Sequence, residues 1–211
     1  QTISGLKISP DILWIKSRSG YSRRLFDRIR GESYALYTDL TSAEGDSQGT
    51  NENLTAFTSD GFSLGSTSGI NAINNNNVPF VGWVWDAGST TETNNNDGDI
   101  TATSIRANQS AGVSIVLYSG TLSSSPNPAP TVGHGLNKKP ALIISKSRNP
   151  NGDDSGGWFI NHSYDYAKWF RFSGLAGQSI SSSGGGTIAE PTTSVFSTYF
   201  IVGSNCASNN Y

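Results

Sequence analysis

The chain has 211 residues, of which only 14% are charged, and its formal net charge is −2. That balance leaves no basic footprint for nucleic acid, and no apolar run approaches the roughly 18 residues of a membrane-spanning helix. The single cysteine, Cys206, excludes an intrachain disulfide, and abundant Gly, Ser, Thr and Asn with few charges is a composition common in extracellular β proteins.

The chain opens on Gln1 within a pattern already under way and contains no Met, which reads as a fragment of something longer or a processed product. Thr2-Ile3 leads to a turn, Gly5-Leu6 then Pro10, that feeds the apolar run Ile12–Ile15 and ends in Lys16-Ser17-Arg18. Residues 19–38 are the most basic part. Leu25, Phe26 and Ile29 would suit one helical turn, whereas Leu25, Asp27 and Ile29 alternate as in a strand. A strand is preferred, because Gly31 and a second β-like run, Tyr34–Tyr37, follow. The arginines read as a solvated edge balanced by Asp27, Glu32 and Asp39, the alternative being a patch for an anionic partner.

A polar loop spans 39–53. Leu54–Phe57 and Gly61–Gly65 then alternate about Ser59-Asp60-Gly61, and Asp-Gly predicts a hairpin turn with positive φ. The Asn run 74–77 reads as loop. Phe80–Trp85 is a strong β run whose two Trp, two residues apart, put both indoles on one face. That face is expected to pack in a core or interface, the alternative being an aromatic platform for sugar rings. Residues 86–99 read as loop. Within it Asn96, Asp97 and Asp99 are weak Ca²⁺ candidates. Gly98 comes fifth from Asn94 where a helix–loop–helix calcium site needs it sixth, and no bidentate Glu follows, so a plain Asx-rich turn is the preferred reading. Ile100–Ile105 and Val113–Tyr118 read as strands, and 119–134 as a Ser/Pro-rich linker with polyproline II character.

The opening stretch then returns at constant offset without a gap. Gly135, Leu136, Pro140, Lys146, Ser147 and Arg148 repeat Gly5, Leu6, Pro10, Lys16, Ser17 and Arg18. Trp158–His162 takes the place of the Leu25–Ile29 strand, Trp169–Phe172 that of Tyr34–Tyr37, and Thr193–Phe196 with Phe200–Ser204 that of the Leu54–Ser66 hairpin. Residues up to Tyr211 contain no counterpart of Phe80–Trp85. A repeat this long matches two copies of a small domain rather than a solenoid. The expected fold is all-β: two tandem antiparallel β-sandwich units, jelly-roll or lectin-like, over 1–110 and 111–211, the first strand of the first unit coming from before residue 1 and the second unit truncated at its C-terminal strand.

Three features together carry a resemblance: the Gly-Leu-x3-Pro strand ending in Lys-Ser-Arg, the Ser59–Gly65 hairpin, and the aromatic strand ending Trp83-Val84-Trp85-Asp86-Ala87-Gly88, with Asp97–Thr101 and Gly112–Val116 after it. They resemble the repeated β domains of virion structural proteins in tailed phages, marine and cyanobacterial ones above all, found in tail fibres and other surface appendages. The resemblance implies a β-sandwich module of a multi-domain appendage at the virion surface, with no catalytic motif to carry over.

The chemistry in the residues is sparse. His134 and His162 have no partner at metal spacing, no Gly-x-Ser-x-Gly elbow is present, and Asp153, Asp154, Asp165 and Glu190 fall in turn-like stretches rather than as a facing pair. No phosphate-binding Gly loop appears. The sequons at Asn53, Asn108 and Asn161 read as accidental. The candidate glycan site is aromatic: Trp158, Tyr164, Tyr166 and Trp169, with Asn161 and Asp165 as hydrogen bonders, set against packing of the same side chains in the core. The expectation is a non-enzymatic structural module without cofactor. Its expected partners are copies of itself, a trimer favoured, together with other virion proteins and host surface glycans. The alternative is a lectin-like adsorption module.

Overall fold

Period-two alternation builds the first unit. In the computed structural model, β2 (Ile12–Ser17) buries Leu13, Ile15 and Ser17 and turns Ile12, Trp14 and Lys16 the other way, as a strand with one face on a core must. The structure describes residues 1–20, 23–45, 53–66, 72–121, 130–149, 157–162, 165–171 and 199–201, with the backbone alone for Asp165–Arg171, Tyr199 and Ile201. All of these residues that lie in regular structure are in strands, and every pairing between strands is antiparallel.

Two units result, Gln1–Asp39 with Glu44–Ala87, and Leu40–Ala43 with Gly88–Tyr211. In the first, β1 (Thr2–Ile3), β6 (Phe62–Leu64) and β5 (Leu54–Phe57) form a three-stranded sheet in that order. The four-stranded sheet runs β4 (Leu36–Tyr37), β3 (Arg24–Asp27), β2, β7 (Phe80–Trp85). One core joins the sheets: Leu13, Ile15 and Phe26 from the larger against Leu54, Phe57, Phe62 and Leu64 from the smaller. This is a two-layer sandwich.

In the second unit β8 (Thr91–Asn95), β9 (Ala102–Asn108) and β10 (Val113–Tyr118) form a meander. β11 (Thr131–Gly133) pairs with β15 (Tyr199–Ile201), and β12 (Leu142–Lys146), β13 (Trp158–His162) and β14 (Asp165–Arg171) make a third sheet. Ile100, Ala102 and Ile105 share a core with Val132 and Phe200, and Val116, Tyr118 and Ile143 pack against it.

The sequence repeat carries into the pairing. Ile3 lies opposite Phe62 as Val132 lies opposite Phe200, and Thr2 opposite Ser63 as Thr131 opposite Ile201. Gly5 and Gly135 both take positive φ, 86° and 70°, where a residue without Cβ turns the chain at little strain.

Four expectations are corrected. The boundary falls at Ala87/Gly88 rather than 110/111, because Val113 pairs with Asn108 and the expected cut would split a hairpin. The 86–99 stretch contains a strand, β8. It was illegible because it is a polar edge strand, Thr91–Asn94 being exposed. The Ser59–Gly61 turn does join β5 to β6, but Gly61 is not at positive φ. It is glycine because a Cβ there would overlap the carbonyl oxygen of Ile3.

The fourth correction concerns the arginines, which form a solvated edge only in part: Arg23 pairs with Asp39 at the surface, whereas two others do not face water. Arg24 and Arg30 are buried. Arg30 Nε donates to Asp27 Oδ2 at 2.6 Å, its backbone N–H to Asp27 Oδ1 at 2.9 Å, and a terminal nitrogen to the Tyr34 carbonyl at 2.8 Å. That network closes the turn ending β3, so the strand stops at Asp27 rather than running to Ile29. Arg24 stacks its guanidinium 5.0 Å from the Tyr37 ring centroid.

Candidate functional site

The outward residues of β2 and β7 assemble an apolar ledge. Register places Ile12 opposite Trp85, Trp14 opposite Trp83 and Lys16 opposite Val81, and directly opposed residues of an antiparallel pair share a face. Trp14 and Trp83 meet with ring centroids 5.7 Å apart and planes tilted by 52°. Trp14 is half-buried, and its indole N–H donates to Thr38 Oγ1 at 3.2 Å. Trp83 is 45% and Trp85 37% exposed. Val84 and Phe80 face the other way and pack on the core. Thus one face of the aromatic strand is covered and the indole face is open.

The ledge is held firmly from its end. Asp11, buried just before β2, accepts from Arg28 Nε at 2.7 Å through Oδ1 and from the Ala87 N–H at 2.8 Å through Oδ2. Its own N–H donates to the Trp85 carbonyl at 2.8 Å. One carboxylate therefore ties the start of β2, the turn after β3 and the end of β7 together. A charge-assisted pair of this kind in a partly dry site restrains strand order more than a surface pair does. A lone Asp after a Pro carries no local signal in the sequence that would mark Asp11.

Two of the candidate glycan residues of the second unit, Trp158 and Asn161, are buried. Trp158 is 3% and Asn161 5% exposed. They also lie an odd number of residues apart on β13, so they belong to opposite faces. Neither offers a surface to a dissolved sugar, and the packing reading is the one their burial fits. The backbone puts Trp169 opposite Asn161 and Asp165 opposite His162, with Tyr166 on the same strand, β14. Tyr164 lies outside the described residues.

The calcium candidates are likewise occupied by neighbours. Asp97 N–H donates to Asn95 Oδ1 at 3.1 Å, the hydrogen bond of an Asx turn. Asn95 Nδ2 donates to Asp97 Oδ2 at 3.0 Å, and Thr101 Oγ1 donates to Asn96 Oδ1 at 2.6 Å. Asp99 Oδ2 accepts from both the N–H and the hydroxyl of Thr131, at 3.1 and 2.8 Å. Three side chains that would have to converge on an ion are each drawn to a different partner, and among the described residues no cluster of three His, Cys, Asp or Glu side chains converges. His134, buried, accepts the Leu136 N–H at Nδ1 over 3.1 Å, so it shapes the turn after β11.

A cleft of about 690 Å³ opens in the first unit, walled by Ile3, Leu6, Phe62 and Val84 with Asn74–Asn77 on its rim. Its walls are side chains of the core or packed on it, so it is an open end of the sandwich interior. Of these features, the ledge is the one that exposes large apolar side chains among the described residues.

No curated protein and no solved structure matches the chain. The match to a family model runs over residues 1–211, and the chain belongs to the family described as a domain of unknown function, DUF7483.

Proposed function

We propose that the chain is a structural module of a phage virion appendage, a tail fibre, head fibre or similar exposed fibre, that assembles side by side through its apolar sheet faces. The observation that carries this reading is the open indole face of β7, with Trp83, Trp85 and Val81 all exposed. Low charge and an antiparallel sandwich are compatible with such a role, which assigns the chain no catalytic chemistry and no cofactor.

Magnitudes shape the form of assembly. The two indoles together have roughly 160 Å² left to cover, and two apposed ledges bury about twice that, worth about 8 kcal/mol. Association costs roughly 4–15 kcal/mol in lost freedom. One ledge alone therefore gives weak pairing, and a string of such modules gains strength by multivalency. Sedimentation over a wide concentration range tests this. The expected result is a mass that rises towards a trimer and stays at the monomer in a Trp83→Ser/Trp85→Ser variant with an unchanged far-UV spectrum. A wild type that remains monomeric at millimolar concentration rejects the reading.

The same accessible indoles favour a second reading, adsorption to host surface glycans by stacking on sugar rings. In that case the double variant loses binding on a glycan array while the wild type is monomeric.

A further inference from the structure

The internal repeat makes β2 and β12 a matched pair, and their surroundings differ. β2 is flanked by β3 on one edge and β7 on the other, in register from Ile12↔Trp85 to Ser17↔Phe80. β12 pairs with β13, from Leu142↔His162 to Lys146↔Trp158. Among the described residues no strand pairs with its other edge.

Burial records the same difference position by position. Pro10 and Asp11 are buried, whereas Pro140 is intermediate and Ala141 exposed. Leu13 and Ile15 are buried, whereas Ile143 and Ser145 are intermediate. Ile12 and Trp14 are intermediate, whereas Leu142 and Ile144 are exposed, at 50% and 46%. The deficit affects both faces of β12, which is what removal of a neighbouring strand does; loss of a covering layer would open only one. It ends at Lys146 and Ser147, which are as buried as Lys16 and Ser17.

We propose that the edge of β12 away from β13, open among the described residues, is an acceptor for an antiparallel strand of the β7 type, an extended segment of aromatic and β-branched residues. The paired element in the first unit sets the occupant and its register. The aromatic positions fall opposite Leu142 and Ile144, the valine between them opposite Ile143, and the glycine opposite Ser145. The main-chain ladder supplies affinity, and the alternate side chains supply selectivity, as in other strand additions. A bare apolar edge is otherwise a site of uncontrolled pairing. The inference rests on the repeat and on burial, and does not depend on the appendage reading.

The probe is a synthetic peptide, Pro79–Asp86 with lysines added at its ends, mixed with the intact chain. Arg18 N–H donates to the Pro79 carbonyl at 2.9 Å. Strand alternation then turns the amides of Ile12 and Trp14 towards β7, and that of Trp83 towards β2. By the repeat, Leu142 and Ile144 present their amides to the open edge. Hydrogen exchange is expected to show these two amides protected by the peptide, with Ile12 and Trp14 unchanged. N-methylation at Trp83 should weaken binding about tenfold or more, and N-methylation at Val84, whose amide points away, should not. Absence of binding at millimolar peptide, binding without protection at Leu142 and Ile144, or equal binding of both methylated peptides overturns the proposal.

Discussion

Single residues in this protein matter according to what they are buried with. Asp11 and Arg28 form a pair that ties three elements, and Asp11 is almost wholly covered. Removing the carboxylate in Asp11→Ala strands the Ala87 N–H and leaves the guanidinium with its Ser9 and Pro10 oxygens and the Phe57 ring. Breaking a buried pair from one side costs about 3 kcal/mol, and Arg28 is partly exposed, so this lies at the lower end of the range. Arg23 and Asp39 sit at a similar 2.9 Å but in solvent, and Arg23→Ala should change stability by about 0.5 kcal/mol or less. Urea unfolding of the two variants checks the contrast. Equal, small effects would show that the clamp does not hold the end of β7. The arginines were visible in the sequence as a cluster, but their burial was not, because a run of Arg beside Leu and Phe has the same local pattern whether it faces water or Asp27.

At the scale of elements, alternation was the reliable signal. Leu54–Phe57, Phe62–Leu64, Phe80–Trp85 and Val113–Tyr118 all form strands where the pattern predicts them. β8 escaped because it buries only Asn95, so no apolar alternation marks it. The β5–β6 hairpin was legible and its chemistry was not. Positive φ was expected from Asp-Gly, while the structure uses Gly61 for close approach to β1. That distinction is testable. Gly61→Ala places a methyl against the backbone of Ile3, which cannot rotate away, and should cost about 2 kcal/mol or more. Loss of protection at the Leu64 amide, which donates to the Gln1 carbonyl, would accompany it as β1 detaches. A variant as stable as the wild type would mean that β1 tolerates displacement.

For the whole molecule, the division into units decides which fragments can fold. Residues 88–211 keep β8 and β9 with the core they cover, Ile105 and Ala102 against Val132 and Phe200. Residues 111–211 lose both strands and expose that core. The expected outcome is a cooperative thermal transition for the longer fragment and none for the shorter, followed by circular dichroism. A cooperative transition in the shorter fragment would instead support a boundary near residue 110. The apolar ledge of the first unit and the open edge of β12 belong to the same scale, since each describes what a neighbour would cover.

Read alone, the sequence determined the strand class, most strand positions and the internal repeat, because period-two alternation, turn residues and self-similarity are written locally along the chain. It also showed that Trp83 and Trp85 share a face. Tertiary structure decided whether that face is covered, why residue 61 must be glycine, that Arg24, Arg30, Trp158 and Asn161 are buried, and where one unit ends. Each of these depends on a partner far away in the chain, Ile3 for Gly61 and Asn108 for Val113 among them, and no local pattern encodes which distant segment arrives.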